Sequence, residues 1–155
     1  MNKEVLIIMG SKSDEPVMAE SKRILEQYNV AFDIMVSSAH RTPERTRKIA
    51  REAEKKGYKV IIAGAGYAAH LAGVVASETT LPVIGVPIAS SPLKGIDALF
   101  STIQMPGGVP VAGMGIGKSG AKNAALFAIE ILALSNNSYR KKIEAMRKNW
   151  NTNLQ

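Results

Sequence analysis

Short apolar runs alternate with amphipathic stretches along the chain. The runs cover residues 4–10, 31–37, 59–66, 81–87 and 108–116, and each is followed by a stretch with apolar residues at helical spacing. The runs are of strand length and are bounded by glycine, serine or proline. The pattern predicts five strands, each followed by a helix.

Two of the predicted helices have clear start signals. Asp14 precedes Pro16 at the first, and Thr42 precedes Pro43 at the second. Asp and Thr are common N-cap residues, and proline is tolerated in the first helical turn. Gly57 predicts the end of the second helix, because glycine readily adopts the left-handed conformation that closes helices.

Regular strand–helix alternation predicts a parallel sheet with helices on both faces. Apolar strands without an alternating polar side fit a sheet that is covered on both faces. We predict an α/β fold, a three-layer αβα sandwich with a flavodoxin-like parallel sheet of about five strands and a C-terminal helix. We see no linker or repeat and expect residues 1–155 to form a single domain.

The helix predicted at 121–134 is apolar almost all round, with Lys122, Asn123 and Glu130 as its polar residues. A surface helix normally has one apolar stripe. A helix that is apolar almost all round is therefore buried on more than one side. Its additional apolar surface is covered either by another part of this chain or by another subunit. We expect a homo-oligomer, with the C-terminal helix at about 138–150 packing on a neighbouring subunit.

Composition narrows the class of protein. Apolar residues make up 46% and charged residues 21%, as in globular proteins, and there is no cysteine. The lack of cysteine excludes disulfides and thiolate metal sites and fits a reducing cytoplasm. The short apolar run at the N-terminus is neither a signal peptide nor a spanning helix. We expect a soluble cytoplasmic protein with no membrane partner.

The net charge of +7 has two interpretations, a solvated basic surface or a site for an anionic small molecule. Nucleic acid is not an expected partner, because aromatic residues make up only 5% and do not alternate with basic ones. Much of the excess charge lies in the final predicted helix. Single cations in loops would therefore be the ones that meet an anionic ligand.

Five loops follow the predicted strands, namely GSKSD, SSAHRTP, GAGYAAHLAG, GVPIASSP and GMGIGKSGAK. In open parallel sheets, ligands bind outside the carboxyl ends of the strands. These loops contain both histidines and are rich in small residues that let a ligand approach the backbone. The glycine patterns at 64–69 and 115–120 lack the acidic residue that a dinucleotide motif requires. A site for a different small molecule is predicted at this edge.

Ser11 and Ser13 lie at a helix start, where free backbone amides and hydroxyls suit a phosphate. Asp14 would disfavour an anion, so it is either a helix cap or an acceptor for sugar hydroxyls. His40 is a candidate general acid/base and Arg41 a candidate fork for carboxylate or phosphate.

His70 is either a neighbour in the site or a packed core residue. Two histidines without a carboxylate cluster make a poor metal site, so we predict no metal. The chemistry indicated is proton transfer by one imidazole beside anion-binding groups.

Six motifs together resemble the N5-carboxyaminoimidazole ribonucleotide mutase family of de novo purine biosynthesis. They are MGSKSD, SAHRTP, GAGYAAHLAG, LPVIGVP, QMPGGVPVA and GKSGAKNAA, in order and spacing over residues 4–135. The resemblance implies an isomerase that moves a carboxyl group from N5 to C4 of the nucleotide. It also implies a homo-octamer that needs no metal, ATP or organic cofactor.

The resemblance assigns roles to matching positions. Ser11, Ser13 and Arg41 would hold phosphate, and Asp14 the ribose hydroxyls. His40 would be the general acid/base. The base would be lined by Ser38 and Ala39, and the migrating carboxyl group would be enclosed by Gly66, Ala68, Ala69, His70 and Leu71.

The chain departs from the family pattern at two positions, Tyr67 in place of glycine and Ala72 in place of proline. Three alternative functions are weighed against the mutase. One is a carboxylase that joins free carbon dioxide to aminoimidazole ribonucleotide. The others are a flavin-binding electron carrier, which would want more aromatic residues at the loops than Tyr67, and a non-catalytic nucleotide-binding subunit.

Overall fold

The computed structural model describes residues 3–152. Its five parallel strands form one sheet in the order β2-β1-β3-β4-β5, the flavodoxin-like order. They are β1 (Val5–Met9), β2 (Phe32–Val36), β3 (Val60–Gly66), β4 (Val83–Ile88) and β5 (Ala112–Gly113). The helices are α1 (Glu15–Gln27), α2 (Pro43–Ala53), α3 (Leu71–Ala76), α4 (Ile96–Ile103), α5 (Lys118–Ala133) and α6 (Asn137–Thr152). The predicted fold class is confirmed.

Alternate residues of β1 enter two separate cores. Val5 and Ile7 face the layer that contains α1, α5 and α6, while Leu6 and Ile8 face the layer that contains α2 and α3. All of these side chains are fully buried, because side chains alternate between the two faces of a strand and both faces are covered. This explains why the strands appear in the sequence as unbroken apolar runs.

Helices α1 and α2 lie within their predicted bounds, but two of the expected caps are not formed. Gly57 ends the α2 region with a left-handed φ of 93°, as predicted. Asp14 and Thr42 occupy the N-cap positions of α1 and α2, yet neither side chain makes a capping hydrogen bond there. Both are instead bound to Ser11 and Ser38, in the loops that precede them.

Two elements are shorter than the apolar pattern predicted. The strand predicted at 108–116 is reduced to Ala112–Gly113, which pairs with Ile84 and Gly85 of β4. Pro110 has no N–H to donate, so it favours the end of regular pairing. Helix α3 begins at Leu71, so His70 is its N-cap residue rather than a residue inside it.

Helix α5 is covered mainly by its own chain. Its small residues Ala121, Ala124 and Ala128 are fully buried against α1 and the sheet, and Ser21 of α1 donates to the Ala121 carbonyl at 2.6 Å. Small side chains let the two helices approach closely. The apolar character of α5 is therefore explained within the chain and gives no support for a second subunit.

Helix α6 packs on α5 of its own chain, and its packing on a neighbouring subunit stays a prediction. Tyr139 and Ile143 are buried there, and Arg147 pairs with Glu130 of α5 at 2.5 Å. The amphipathic face of α6 is covered by the nearest apolar surface, the outer side of α5. Within residues 3–152, every helix is too short or too polar to cross a lipid bilayer.

Candidate functional site

A cavity of about 450 Å³ opens at the carboxyl edge of the sheet. It lies where the chain leaves β1 and β3, the point at which the strand order reverses in this topology. The structure brings all twelve predicted site residues into its lining. They are Ser11, Ser13, Asp14, Ser38, Ala39, His40, Arg41, Gly66, Ala68, Ala69, His70 and Leu71.

The turn after β1 is a single turn of 3-10 helix with a reciprocal cap. Asp14 accepts from the Ser11 backbone N–H at 2.9 Å, while the Ser11 hydroxyl oxygen accepts from the Ser13 N–H at 3.3 Å. The Ser13 hydroxyl lies 3.0 Å from that of Ser11. Both hydroxyls therefore lie at the cavity wall, close enough to bind one anionic group together.

Asp14 has a structural role whether or not it contacts a ligand. It is 4% exposed, and burial raises the pKa of its carboxyl group above the ordinary value. The Ser11 N–H and the Arg41 charge partly offset that rise. The carboxylate thus caps the turn that carries the two serines, and it also borders the cavity.

The loop after β2 is shaped by hydroxyl groups. Ser37 is buried and bonded to the Thr46 hydroxyl at 2.8 Å. Ser38 donates its backbone N–H to the Thr42 hydroxyl at 3.0 Å, and its own hydroxyl accepts from the Arg41 N–H at 3.1 Å. These bonds fold the loop so that His40 and Arg41 reach the cavity without core packing of their own.

The two histidines of the chain meet in this cavity. His40 Nε2 and His70 Nδ1 lie 2.7 Å apart, with the rings nearly perpendicular at 89°. A hydrogen bond between two imidazole nitrogens needs one donor and one acceptor, so one proton lies between these two nitrogens. Both residues are exposed, which excludes the alternative of His70 as a packed core residue.

Arg41 supplies the positive charge of the site. Its guanidinium has no hydrogen bond or ion pair among residues 3–152, and its charge acts on nearby Asp14. An unpaired guanidinium beside two serine hydroxyls suits a phosphate or carboxylate. Across the same part of the chain, no three His, Cys, Asp or Glu side chains lie together as metal ligands would.

The loop after β3 forms another wall of the cavity. A Cβ atom at Gly66 would lie 1.6 Å from the Ser90 hydroxyl oxygen, so only glycine fits there. Tyr67 follows with a left-handed φ of 52°, which costs a non-glycine residue about 1–2 kcal/mol. Ala69 and Leu71 are buried and fix the end of the loop to the core.

Sequence reasoning did not select four lining residues, Gly10, Ala65, Tyr67 and Ser90. Each lies at or just after the carboxyl end of a strand, so strand-end position alone could have identified them. Ser90 was missed because its loop, residues 89–95, contains no histidine, arginine or acidic residue to draw attention to it. Its hydroxyl occupies the space that the missing Gly66 side chain leaves.

Fold and site together define a doubly wound α/β protein with an arginine, serine hydroxyls and paired imidazoles in a cavity at its topological switch point. The chain belongs to the AIR carboxylase family, whose model matches residues 4–153.

Curated relatives are named N5-carboxyaminoimidazole ribonucleotide mutase. The protein of Pyrococcus abyssi is 55% identical over 144 residues, covering 93% of this chain and 82% of the relative. That of Escherichia coli K12 is 49% identical over 144 residues, covering 93% and 85%. The crystal structure of Treponema denticola PurE has a TM-score of 0.87 at 26% identity, covering 98% of this chain and 94% of that one.

Proposed function

We propose that the protein is an N5-carboxyaminoimidazole ribonucleotide mutase, an isomerase of de novo purine biosynthesis. It converts N5-carboxyaminoimidazole ribonucleotide into 4-carboxy-5-aminoimidazole ribonucleotide. The observation that carries this proposal is the cavity in which the His40–His70 pair, the free Arg41 and the two serine hydroxyls lie together. The curated relatives that carry this name support it.

Substrate binding follows from the polar groups of the cavity. Arg41 and the hydroxyls of Ser11 and Ser13 bind the monophosphate through charge-assisted hydrogen bonds. Asp14 uses one carboxylate oxygen on the Ser11 N–H, which leaves the other for the ribose hydroxyls. The base lies along Ser38 and Ala39, and the transferring carboxyl group lies along the loop at residues 66–71.

The reaction needs one group that gives a proton and takes one back. The N5–carboxyl bond breaks, carbon dioxide departs, and the electron pair stays on nitrogen, which His40 protonates. C4 then attacks the confined carbon dioxide, and neutral His40 removes the C4 proton. The substrate and product are isomers, so protons and electrons balance without a co-reactant.

His70 is the group best placed to support His40. At 2.7 Å it holds the His40 ring in one orientation and couples the tautomers of the two rings, because one nitrogen must donate while the other accepts. One additional proton can be held on the pair without breaking its hydrogen bond, whereas two cannot. The pair thus suits a residue that alternates between acid and base.

The choice of substrate tests the proposed function. Purified protein is incubated with the N5-carboxy nucleotide, or with aminoimidazole ribonucleotide plus bicarbonate, and formation of the C4-carboxylated product is followed. The mutase converts the first far faster than the second. Preference for the second would make the protein a carboxylase, and conversion of neither would leave a binding subunit. A yellow, flavin-loaded protein would indicate the electron carrier.

We also propose that the protein assembles as a homo-oligomer, an octamer by resemblance to the mutase family. Support comes from α4 and the residues before it, where Leu93, Ile96, Phe100 and Ile103 form an exposed apolar stripe. Phe100 is 54% exposed, and Asp97 beside it has a buried carboxylate oxygen without a partner among the described residues. A second copy would cover the stripe.

Light scattering after gel filtration tests the assembly. Phe100→Glu places a charge in the middle of the stripe and should shift the protein to smaller species. Leu134→Glu, at a more exposed apolar residue outside the stripe, is the matched control and should leave the mass unchanged. A monomeric wild type would rule the assembly out.

A cytoplasmic location is proposed because the chain has no cysteine, which fits a reducing compartment.

A further inference from the structure

Tyr67 combines backbone strain with a position on the catalytic cavity. Among residues 3–152, the non-glycine residues with positive φ are Asn29, Tyr67 and Lys94. Asparagine tolerates the left-handed region well, and neither Asn29 nor Lys94 lines the cavity. Tyrosine is a bulky residue in a conformation that favours glycine. Such strain is kept where the surrounding structure fixes the backbone.

The protein itself gains little from the Tyr67 side chain. Tyr67 is 62% exposed, and its hydroxyl makes no hydrogen bond to any residue that the structure describes. A buried aromatic side chain normally contributes through packing, and a buried phenol finds a polar partner. Tyr67 has neither in this chain. The contact that would offset the strain must therefore come from outside the chain.

The loop holds Tyr67 firmly in place. Gly66 packs against Ser90 with no room for a side chain, and the His70 N–H donates to the Ala68 carbonyl at 2.8 Å. Ala69 is buried immediately afterwards. With its backbone fixed on both sides, the exposed ring borders the same cavity as His40 and His70.

We propose that Tyr67 is a ligand-contacting residue whose ring covers the bound nucleotide and keeps the released carbon dioxide away from water. This rests on the proposed mutase function. The aromatic face stacks on the planar imidazole of the substrate, beside the wall formed by residues 66–71. Without the cover, carbon dioxide leaves between N–C cleavage and C–C formation. It is then hydrated to bicarbonate, and aminoimidazole ribonucleotide remains with its protonated nitrogen.

Partitioning of a labelled carboxyl group tests this role. The N5-carboxy nucleotide labelled with ¹³C in the carboxyl group is converted in unlabelled bicarbonate. Carbon NMR then measures label in the product against label lost to bicarbonate, after subtraction of an enzyme-free blank. Tyr67→Gly removes the ring and suits the backbone, while Tyr67→Phe keeps the ring. Asn29→Gly is the matched control at a second left-handed residue, outside the cavity.

Tyr67→Gly should lose label at least about fivefold more often than wild type, and its product dissociation constant should rise by a similar factor, as expected for a lost aromatic stack. Tyr67→Phe and Asn29→Gly should retain label as wild type does. The Tm of Tyr67→Gly should not fall, because relief of strain offsets the greater freedom of glycine in the unfolded chain.

Other results would overturn the proposal and would also show which part of it is wrong. Wild-type retention and product affinity in Tyr67→Gly would show that the ring does not cover the ligand. A smaller assembly by light scattering would place Tyr67 at a subunit contact instead. If the wild type converts no N5-carboxy nucleotide, the proposed function fails and this role fails with it, whereas normal conversion with unchanged partitioning refutes only the role of Tyr67.

Discussion

Replacing His40 by asparagine should nearly abolish turnover while leaving the fold intact. His40 is exposed, and its one described side-chain hydrogen bond is to His70, which is also exposed. An exposed bond of this kind contributes about 0.5–1 kcal/mol at most. For a chain of this length, that corresponds to a Tm change of about 4 °C or less.

The expected loss of activity is much larger than the loss of stability. Removing a general acid/base lowers the rate by about 10²–10⁴-fold. That is about 3–5 kcal/mol of lost transition-state stabilisation. The groups proposed to bind phosphate, Arg41 and the hydroxyls of Ser11 and Ser13, do not depend on His40, so binding of the product nucleotide should stay close to wild type.

The hydrogen bond to His70 adds a second comparison. In His70→Asn, the side-chain amide can still form a hydrogen bond with His40, through its oxygen or its NH₂ group, but the second basic ring is lost. Turnover should therefore fall less than in His40→Asn. The double variant should be no slower than His40→Asn alone, because residues that act as a unit are not additive.

Three measurements decide this prediction. Steady-state kinetics with the purified N5-carboxy nucleotide gives kcat and KM, calorimetry gives the affinity for the product, and thermal unfolding gives Tm. Near-normal kcat in His40→Asn would refute the assigned role. A large drop in Tm would instead show that the pair stabilises the fold, contrary to its exposure.

Further predictions concern binding, pH and packing. Arg41→Lys should raise KM about tenfold with little change in kcat, because an ammonium group lacks the planar fork for phosphate, and an unchanged KM would contradict it. Tyr139→Phe should lower Tm by about 2–4 °C near neutral pH, since Tyr139 donates to Glu4 at 2.5 Å. Ile129→Ala should lower the free energy of unfolding by about 2–5 kcal/mol, as measured by thermal unfolding, because Ile129 is fully buried in the α1–α5 core. A loss below about 1 kcal/mol would contradict this packing.

The pH dependence of the Tyr139→Phe effect has a definite sign. Burial raises the pKa of Glu4, but bonds from Lys59 and Tyr139 outweigh it and hold the pKa below the ordinary value of 4.5. The stability that the ionised Glu4 carboxylate gains from these two bonds is present above pH 4.5 and is lost as the pH falls below it. Burial and the Glu4 bond raise the pKa of Tyr139 from 10.0 to about 12, so its contribution is lost as the pH rises through that range. The Tm difference should therefore narrow at both extremes.

Most of the fold could be predicted from local pattern. A strand covered on both faces needs apolar residues throughout, and a helix needs a defined start and stop, so both leave a signal in consecutive residues. Pro43 and Gly57 show this most directly, since the proline ring fixes a φ that suits the first helical turn and glycine adopts the left-handed conformation without steric cost. The location of the candidate site could also be predicted from the sequence, because the carboxyl ends of parallel strands lie on one edge of the sheet.

Other features depend on contacts between residues far apart in the sequence. The pattern showed that α5 must be covered on several sides, but α1 and α6 could be assigned as its cover only from their packing. Local pattern gives the extent of burial and not the partner.

The sequence by itself determined the α/β class, the edge that carries the site and the residue types available for chemistry. The tertiary structure alone decided that His40 and His70, thirty positions apart, share a hydrogen bond, and that Tyr67 is held in a left-handed conformation beside them. The physical reason is that side-chain chemistry and local periodicity are properties of neighbouring residues. Distances between loops are set by how the whole sheet twists and packs.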